Sequence, residues 1–512
     1  MDDWRTPILV GSGQITQREP DPRAALGAMD LTAAAARKAA ADARAGDALL
    51  GALDTIVVLR SFSDTSWRFK SPFGGPKNPP KSIANRVGAG SAKRLIYTHP
   101  GGNMPQWCVN RLFEMVTRGE TGAAMICGGE ALATQKAAER AKLTLDWNED
   151  AGGEPEVWGV ATRGWNDMED RHRMAGAIFA YPLFENGIRR HLGRTVPEHL
   201  GKVGELFAHF AAVARANPLA DRRQGYTAQQ IAAVGPDNPY IGFPYTKLMN
   251  SNAFIDQAAA IILTSVGKAR ELGIPEDRWV YLHGCADAYD HWFISERHNF
   301  HSSPAMRVVG EETQEMAGIG IGEIDKFDIY SCFPSAVQIA CREMGIPQAD
   351  PRGLTVTGGL PYFGGPGNNY VTHSIAQMMD EVRKRPGSKG MVTANGNYLT
   401  KHSAGLYSTE PTKGPWRRED PKKFQAELDA RPKQRVNTKP GGTGTIETYC
   451  VAYGKAAPEK AYVFGRLDGS GDRFVAMAGN DPVLLGDMLT KEQLGRKVSV
   501  TEKDGRNVFH PI

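Results

Sequence analysis

One plan of elements occurs twice in this chain and constrains its fold more than any other feature. In the first half Lys93–Tyr97 reads as a strand, Gly101-Gly102 follow, a helix runs to about Arg118, and Met125-Ile-Cys127 leads to Gly128-Gly129. In the second half Leu354-Thr-Val-Thr357 reads as a strand. It ends in a loop containing Gly358-Gly359 and Gly364-Gly365-Pro366. A helix from about Tyr370 to Lys384 follows, and Gly390–Ala394 leads to Asn395-Gly396. Short apolar runs bounded by glycine turns are strand signals. Strands alternating with helices predict an α/β protein with a mainly parallel sheet covered on both faces. The recurrence predicts two similar halves produced by an internal duplication.

Further segments extend the plan. Ile8–Gly13, Thr55–Leu59, Ala123–Cys127 and Phe327–Tyr330 read as strands, and the alanine-rich Asp30–Arg44 as a helix. The pattern divides the chain into a first half, 1–265, a second half, 266–409, a linker, 410–440, and a small β domain, 441–512. Within the first half, residues 135–244 form a polar, helical insertion. The linker holds nine basic residues, five acidic residues and five prolines, a tether-like composition. Beyond it, Thr445–Tyr453, Ala461–Leu467 and Arg473–Met477 are short β-like runs separated by turns such as Asp468-Gly469.

A net charge of +4 over 512 residues, with no array of basic and aromatic residues, argues against a nucleic-acid binder. The six cysteines are widely spaced and form no Cys-X-X-Cys, which points to a reducing compartment. The polar, acidic start Met-Asp-Asp-Trp-Arg does not read as a signal peptide, and no apolar run is long enough to span a bilayer. A cytoplasmic location is expected.

Five segments carry a resemblance to the thiolase superfamily over about residues 5–409. Ile8–Gly13 resembles the opening strand, and Met125–Glu130 resembles the strand and glycine turn after the nucleophile helix. Asp256-Gln-Ala-Ala-Ala260 resembles Asp-Gly-Ala-Ala-Ala. Asp328-Ile-Tyr-Ser-Cys-Phe333 resembles the Glu-X-His-Asp-Cys-Phe of sterol-carrier-protein-type thiolases. Gly358–Pro366 resembles the Gly-Gly…Gly-His-Pro loop. The C-terminal β domain is similar to the extension of the thiolase-like protein type 1 group. The resemblance implies two βαβαβ halves packed as α-β-α-β-α layers, with an OB-like β-barrel appended. It also implies a pocket where the loops of both halves converge.

The same resemblance implies a set of catalytic positions, and this chain departs from all of them. The expected cysteine matches Gly102, or Asn103 if the register slips by one. The three expected histidines match Tyr330, Gly365 and Asn395. Cys108 lies two helical turns beyond the nucleophile position and reads as a core residue. The groups available for chemistry are Tyr330 for proton transfer, Asn395 as an oxyanion donor, and His402, seven residues further on. Tyr330 would need a lowered pKa to act as a base, or would act as an acid in its neutral form. Gly102, Asn103, Gly364, Gly365, Asn368, Asn369 and Lys247 are expected to line the substrate site, with Asn368 and Asn369 equally able to serve as helix caps. Arg189, Arg190, Lys202, Arg222, Arg223 and Lys247 are the basic residues from which a CoA phosphate contact would be drawn.

A CoA thioester is thus the expected substrate or ligand, with no bound cofactor or metal. Three functions remain open: an acetyl-CoA acetyltransferase-like acyltransferase, a carbon–carbon lyase acting on a β-hydroxyacyl-CoA, and a non-catalytic acyl-CoA or lipid binder. Either a homodimer or a monomer is compatible with the sequence.

Overall fold

The computed structural model describes residues 2–174, 176–454, 457–479 and 481–512. Six strands form the first sheet, in the order β1 (Pro7–Thr16), β8 (Asp256–Ser265), β4 (Ala123–Ala131), β2 (Thr55–Val58), β3 (Arg94–Thr98) and β5 (Glu156–Trp158). The strands β4, β2, β3 and β5 run parallel, whereas β8 is antiparallel to both β1 and β4. The second sheet has four strands, β10 (Lys326–Asp328), β11 (Gly390–Gly396), β12 (Lys401–Ser408) and β9 (Tyr281–Tyr289), in that order.

Two helices with glycine-rich N-terminal loops, Met104–Arg118 and Tyr370–Lys384, pack between the sheets and against each other. The helix Ala28–Asp42 covers the far face of the first sheet, and Pro304–Ala317 covers the second. The layers are therefore α-β-α-β-α, the expected thiolase fold. Every residue of β8 and β12 is buried, as strands covered on both faces must be.

One expected strand is absent. The segment 354–357 is irregular because the buried Asp328 carboxylate takes its backbone donors. Oδ2 of Asp328 accepts from Val356 N at 2.9 Å, Thr357 N at 3.2 Å and Thr355 Oγ1 at 2.9 Å. A side chain that captures successive N–H groups competes directly with a strand ladder.

The C-terminal region closes a five-stranded barrel from β13 (Gly442–Tyr453), β14 (Pro458–Leu467), β15 (Arg473–Ala478), β16 (Lys497–Lys503) and β17 (Arg506–Pro511). It does not hang on a tether. Strands β6 (Tyr240–Phe243) and β7 (Tyr245–Thr246), from the insertion, extend its sheet, with Val451 opposite Phe243. Residues 410–440 pack as a strap. Trp416 Nε1 donates to Leu282 O at 2.8 Å, Arg418 binds Asp287 and Glu114, and Phe424 and Leu428 of the helix Pro421–Asp429 are buried. Arg418, one of the charges that resembled a linker, instead serves this packing. Among the described residues no helix is long and apolar enough to cross a membrane.

Candidate functional site

The loop Pro100–Asn103 enters the helix Met104–Arg118 at the centre of the molecule, against the ends of β11 and β12. Gly102 abuts Tyr330. A Cβ built on Gly102 would fall inside 3.0 Å of the Tyr330 hydroxyl, 2.7 Å from its Cζ and 2.5 Å from the Asn395 carbonyl oxygen. The phenol therefore occupies the volume a side chain at position 102 would need. The second glycine is filled in the same way, because a Cβ on Gly365 would collide with Ser251 Oγ. Ser251 N donates to Cys332 O at 3.1 Å, and Leu360 N donates to Ser331 Oγ at 3.2 Å. These bonds tie the Gly365 loop to the Tyr330–Phe333 segment.

Tyr330 stands T-shaped against Tyr370, with ring centroids 5.7 Å apart. Burial, and then the neighbouring Cys332 thiol, push its phenol well above the ordinary tyrosine range. It is neutral, and so can donate a proton but cannot accept one as a phenolate.

Asn395 Nδ2 donates to Tyr181 Oη at 3.1 Å and lies 3.8 Å from Cys332 Sγ, while its Oδ1 has no partner. Asn395 therefore leaves its acceptor free, not its donor, which corrects its expected role as an oxyanion donor. Tyr181 and Cys332 complete this wall; burial pushes the Cys332 thiol up to about 12. Tyr181 could not be found from sequence, because it arrives on a helix of the insertion, Ala177–Leu192, with no local signal. Cys332, by contrast, lay within a recognised motif.

Asn103 carries the unfilled donor. It is fully buried, and neither Oδ1 nor Nδ2 has a hydrogen-bond partner. Buried amides are almost always satisfied, so an orphaned one marks a place where a ligand or water belongs. Beside it is Lys401, also overlooked in the sequence. Its Nζ donates to Pro100 O at 2.6 Å, and a Cβ on Gly101 would lie 2.8 Å from that Nζ and 2.5 Å from Asn103 Oδ1. Burial lowers the Lys401 amine to about 8. The available signal was strand alternation: Lys401 precedes His402 on β12 and so faces the opposite side of the sheet.

Other expected site residues have different partners. His402 lies opposite Asn395 in register, but its Nε2 is held by Leu399 O at 3.0 Å, Ser303 Oγ at 3.2 Å and Asp290 Oδ2 at 3.4 Å. Its Nε2 is committed to a buried polar cluster, while its buried Nδ1 has no partner among the described residues. The Asn368 amide joins the two halves, accepting from Gly101 N at 2.9 Å and donating to Arg60 O at 2.7 Å. Asn369 donates to Gly128 O at 2.6 Å and accepts from Thr372 Oγ1 at 2.6 Å. Both asparagines are therefore satisfied structural ties, corrected from substrate contacts. Gly364, at φ +126°, lies against Gln257. Lys247 is exposed on the turn Lys247–Met249, with no side-chain bond among the described residues.

Most of the basic residues proposed for CoA phosphate are also engaged. Arg189 is buried and forks onto Glu492 of the barrel, Arg190 donates to Ile446 O at 3.0 Å, Arg222 donates to Pro361 O at 3.1 Å, and Lys202 pairs with Glu205. A cleft of about 830 Å³ between the insertion and the barrel, lined by Val196, Leu200, Tyr240, Phe243 and Leu489, contains none of the site residues above.

Comparison with known proteins agrees with this architecture. Residues 423–506 match the family described as "Thiolase-like protein type 1 additional C-terminal domain". A "3-ketoacyl-CoA thiolase" of Erwinia tasmaniensis is 26% identical over 159 residues, which are 28% of this chain and 35% of the relative. The chain thus spans about a third of that curated relative's length. The "Ltp2-ChsH2(DUF35) aldolase" structure covers 79% of this chain and 97% of its own, with a TM-score of 0.56 and 17% identity, and shows the fold alone. The monomeric "SCP2-thiolase like protein type 1 (STLP1)" of Mycobacterium smegmatis covers 100% of both chains at 34% identity, with a TM-score of 0.85. Identity of 34% over the whole of both chains, together with the matched C-terminal domain, places the chain in the SCP2-thiolase-like protein type 1 family.

Proposed function

We propose that this protein acts on acyl-CoA thioesters without an acyl-cysteine intermediate, as a carbon–carbon lyase on β-hydroxyacyl-CoA. The observation that carries this reading is the Tyr330 phenol in the space next to Gly102. Acyl transfer through a thiolase-type intermediate needs a nucleophile there, activated by a neighbouring base. Here neither fits. A neutral phenol in that position is instead suited to protonate a developing thioester enolate. The Asn103 amide supplies a free donor for the thioester oxygen, and Asn395 Oδ1 a free acceptor for the β-hydroxyl. The likeness of fold to a protein described as an aldolase agrees with this chemistry.

The chain is also proposed to act as a monomer. The edge strand beyond β3 is β5, only three residues long, and so short an edge offers little for a second copy to pair with.

The test is turnover of a panel of β-hydroxyacyl-CoA and acyl-CoA esters, with release of an aldehyde or ketone as the readout. Tyr330→Phe is expected to slow cleavage by ~10²-fold or more with ligand affinity little changed. An unaltered rate in that variant overturns the mechanism, and acyl transfer without carbonyl release overturns the lyase assignment.

A further inference from the structure

Trp67 is the most exposed large apolar side chain among the described residues, at 86%. It does not sit on a loose end. The turn Trp67–Phe69 is closed by Ser66, whose Oγ accepts from Arg68 N at 3.3 Å and whose carbonyl accepts from Phe69 N at 3.0 Å. The base of the same loop is fixed to the core. Phe62 N donates to Glu130 at 2.7 Å, and Asn368 Nδ2 donates to Arg60 O at 2.7 Å. Two residues from Trp67, Phe69 stacks on Phe62 at 4.9 Å and meets Phe254, itself exposed, at 6.1 Å. The loop is thus ordered and holds an indole out in water beside further aromatic surface. Exposed apolar patches rimmed by polar groups mark interaction surfaces.

The rim of this patch is basic. Arg68 and Lys70 flank the ring in sequence and are exposed. Arg68 also approaches a second group of cations where the insertion meets the barrel: Arg173, Lys460 on β14 and Arg506 at the start of β17. Tyr462 Oη donates to Arg173 O at 2.9 Å, and Arg506 Nε donates to Arg171 O at 2.9 Å. The Lys460 amine lies over the rings of Phe179, at 5.4 Å, and Tyr462, at 5.8 Å. These are their contacts; Arg68, Lys70, Arg173, Lys460 and Arg506 form no ion pair with a carboxylate among the described residues. Burial lowers the Lys460 amine, Arg173, Arg68 and Arg506 lower it further, and Glu459 is the charge that opposes them. Like charges held in one another's field without counter-ions attract an external anion.

We propose that this face docks on an anionic lipid surface, with Trp67 seated at the level of the headgroups and Arg68, Arg173, Lys460 and Arg506 against lipid phosphates. An indole is apolar over most of its area and carries one polar N–H, so it settles where water meets acyl chains. Basic residues beside it add attraction to anionic headgroups, and stable docking on a membrane takes two such signals together. A protein interface would instead draw on a contiguous core of several desolvated side chains. Here one ring projects from a short turn while Phe62 and Phe69 are half-buried behind it. The proposal concerns where the protein sits and does not depend on the lyase reading.

The test is sedimentation of the whole protein with vesicles of mixed phosphatidylglycerol and phosphatidylcholine at low salt. The protein is expected to pellet with them, to stay in solution with phosphatidylcholine alone, and to be released as salt screens the cations. Trp67→Ser is expected to weaken partitioning by ~10-fold or more. Arg68→Gln and Lys460→Gln should each weaken it by ~5-fold. All three positions are at the surface, so the variants keep the fold. Leu192→Ser removes another exposed apolar side chain, at the far end of the 16-residue helix whose first turn holds Phe179, and should leave binding unchanged. No binding to the mixed vesicles at low salt overturns the proposal. Should CoA then bind and lose affinity in Lys460→Gln, the cations belong to a nucleotide-phosphate site instead. Vesicle binding that survives Trp67→Ser and both cation variants, or that Leu192→Ser weakens as much, also overturns it.

Discussion

The Tyr330 hydroxyl and Gly102 share one volume: a methyl group on the glycine would fall inside 3.0 Å of the phenol oxygen. The two positions are therefore coupled. Gly102→Ala is expected to lose about 1–3 kcal/mol by overpacking. Pairing it with Tyr330→Leu should restore part of that loss, but not all, because the Asn395 carbonyl also lies 2.5 Å from the added methyl. Urea unfolding of the wild type, both single variants and the double variant measures this coupling; strict additivity would show that the two sites are independent.

Incubation with acetyl-CoA is expected to leave all six cysteines unmodified. Cys108 is fully buried in its helix, and burial, with the Asp287 charge, pushes its thiol above the ordinary range. A thiolate is the reactive form, and neither Cys108 nor Cys332 supplies one near neutral pH. Stoichiometric acetylation of either residue in a peptide map would restore the acyl-enzyme route.

The barrel is docked by buried charge. The Arg473 side chain is fully buried, forks onto Glu447 at 2.8 and 2.9 Å, and also donates to Ser295 O at 3.0 Å, in the second half of the core. Glu447→Gln leaves that guanidinium without its counter-charge. A loss of about 3–5 kcal/mol is expected in denaturant unfolding. A loss below ~1 kcal/mol would mean that Glu447 is not needed to hold the guanidinium that reaches from the barrel to Ser295 O.

Glu130 predicts a pH dependence of opposite sign to the usual carboxylate. It is buried, accepts from Phe62 N at 2.7 Å, and is raised to about 8 by burial, with Asp64 adding to the shift. In the unfolded chain it ionises near its ordinary value. Its neutral form is thus favoured in the fold, so stability falls as pH rises from about 4.5 towards 8, by about 1.4 kcal/mol for each unit of displacement. Glu130→Gln keeps an acceptor for Phe62 N. It is expected to flatten that fall and to raise the melting temperature at pH 8, as calorimetry at pH 5 and 8 would show. A lower melting temperature at pH 8 would count against a neutral Glu130.

The layered α/β fold, its duplication and the β character of the C-terminal region were legible in the sequence, because they follow from local periodicity and glycine turns. That Gly102, Tyr330, Gly365 and Asn395 stand where a thiolase would hold its cysteine and histidines is a reading of residue identity at single positions, and it rests on the resemblance. Partnership was not legible. Asn368 and Asn369 looked like ligand contacts until the fold gave their amides to Gly101 and Gly128. Residues 410–440 looked like a tether until Arg418 found Asp287 and Trp416 found Leu282. Lys401 carried no signal of its own beyond one position in an alternating strand. Its burial against Pro100, about 300 residues earlier in the chain, exists only once both halves have folded together. Residue type and spacing are local properties, whereas burial, counter-charge and filled volume are set by distant parts of the chain. The tertiary structure alone therefore decided which polar groups remain free to act.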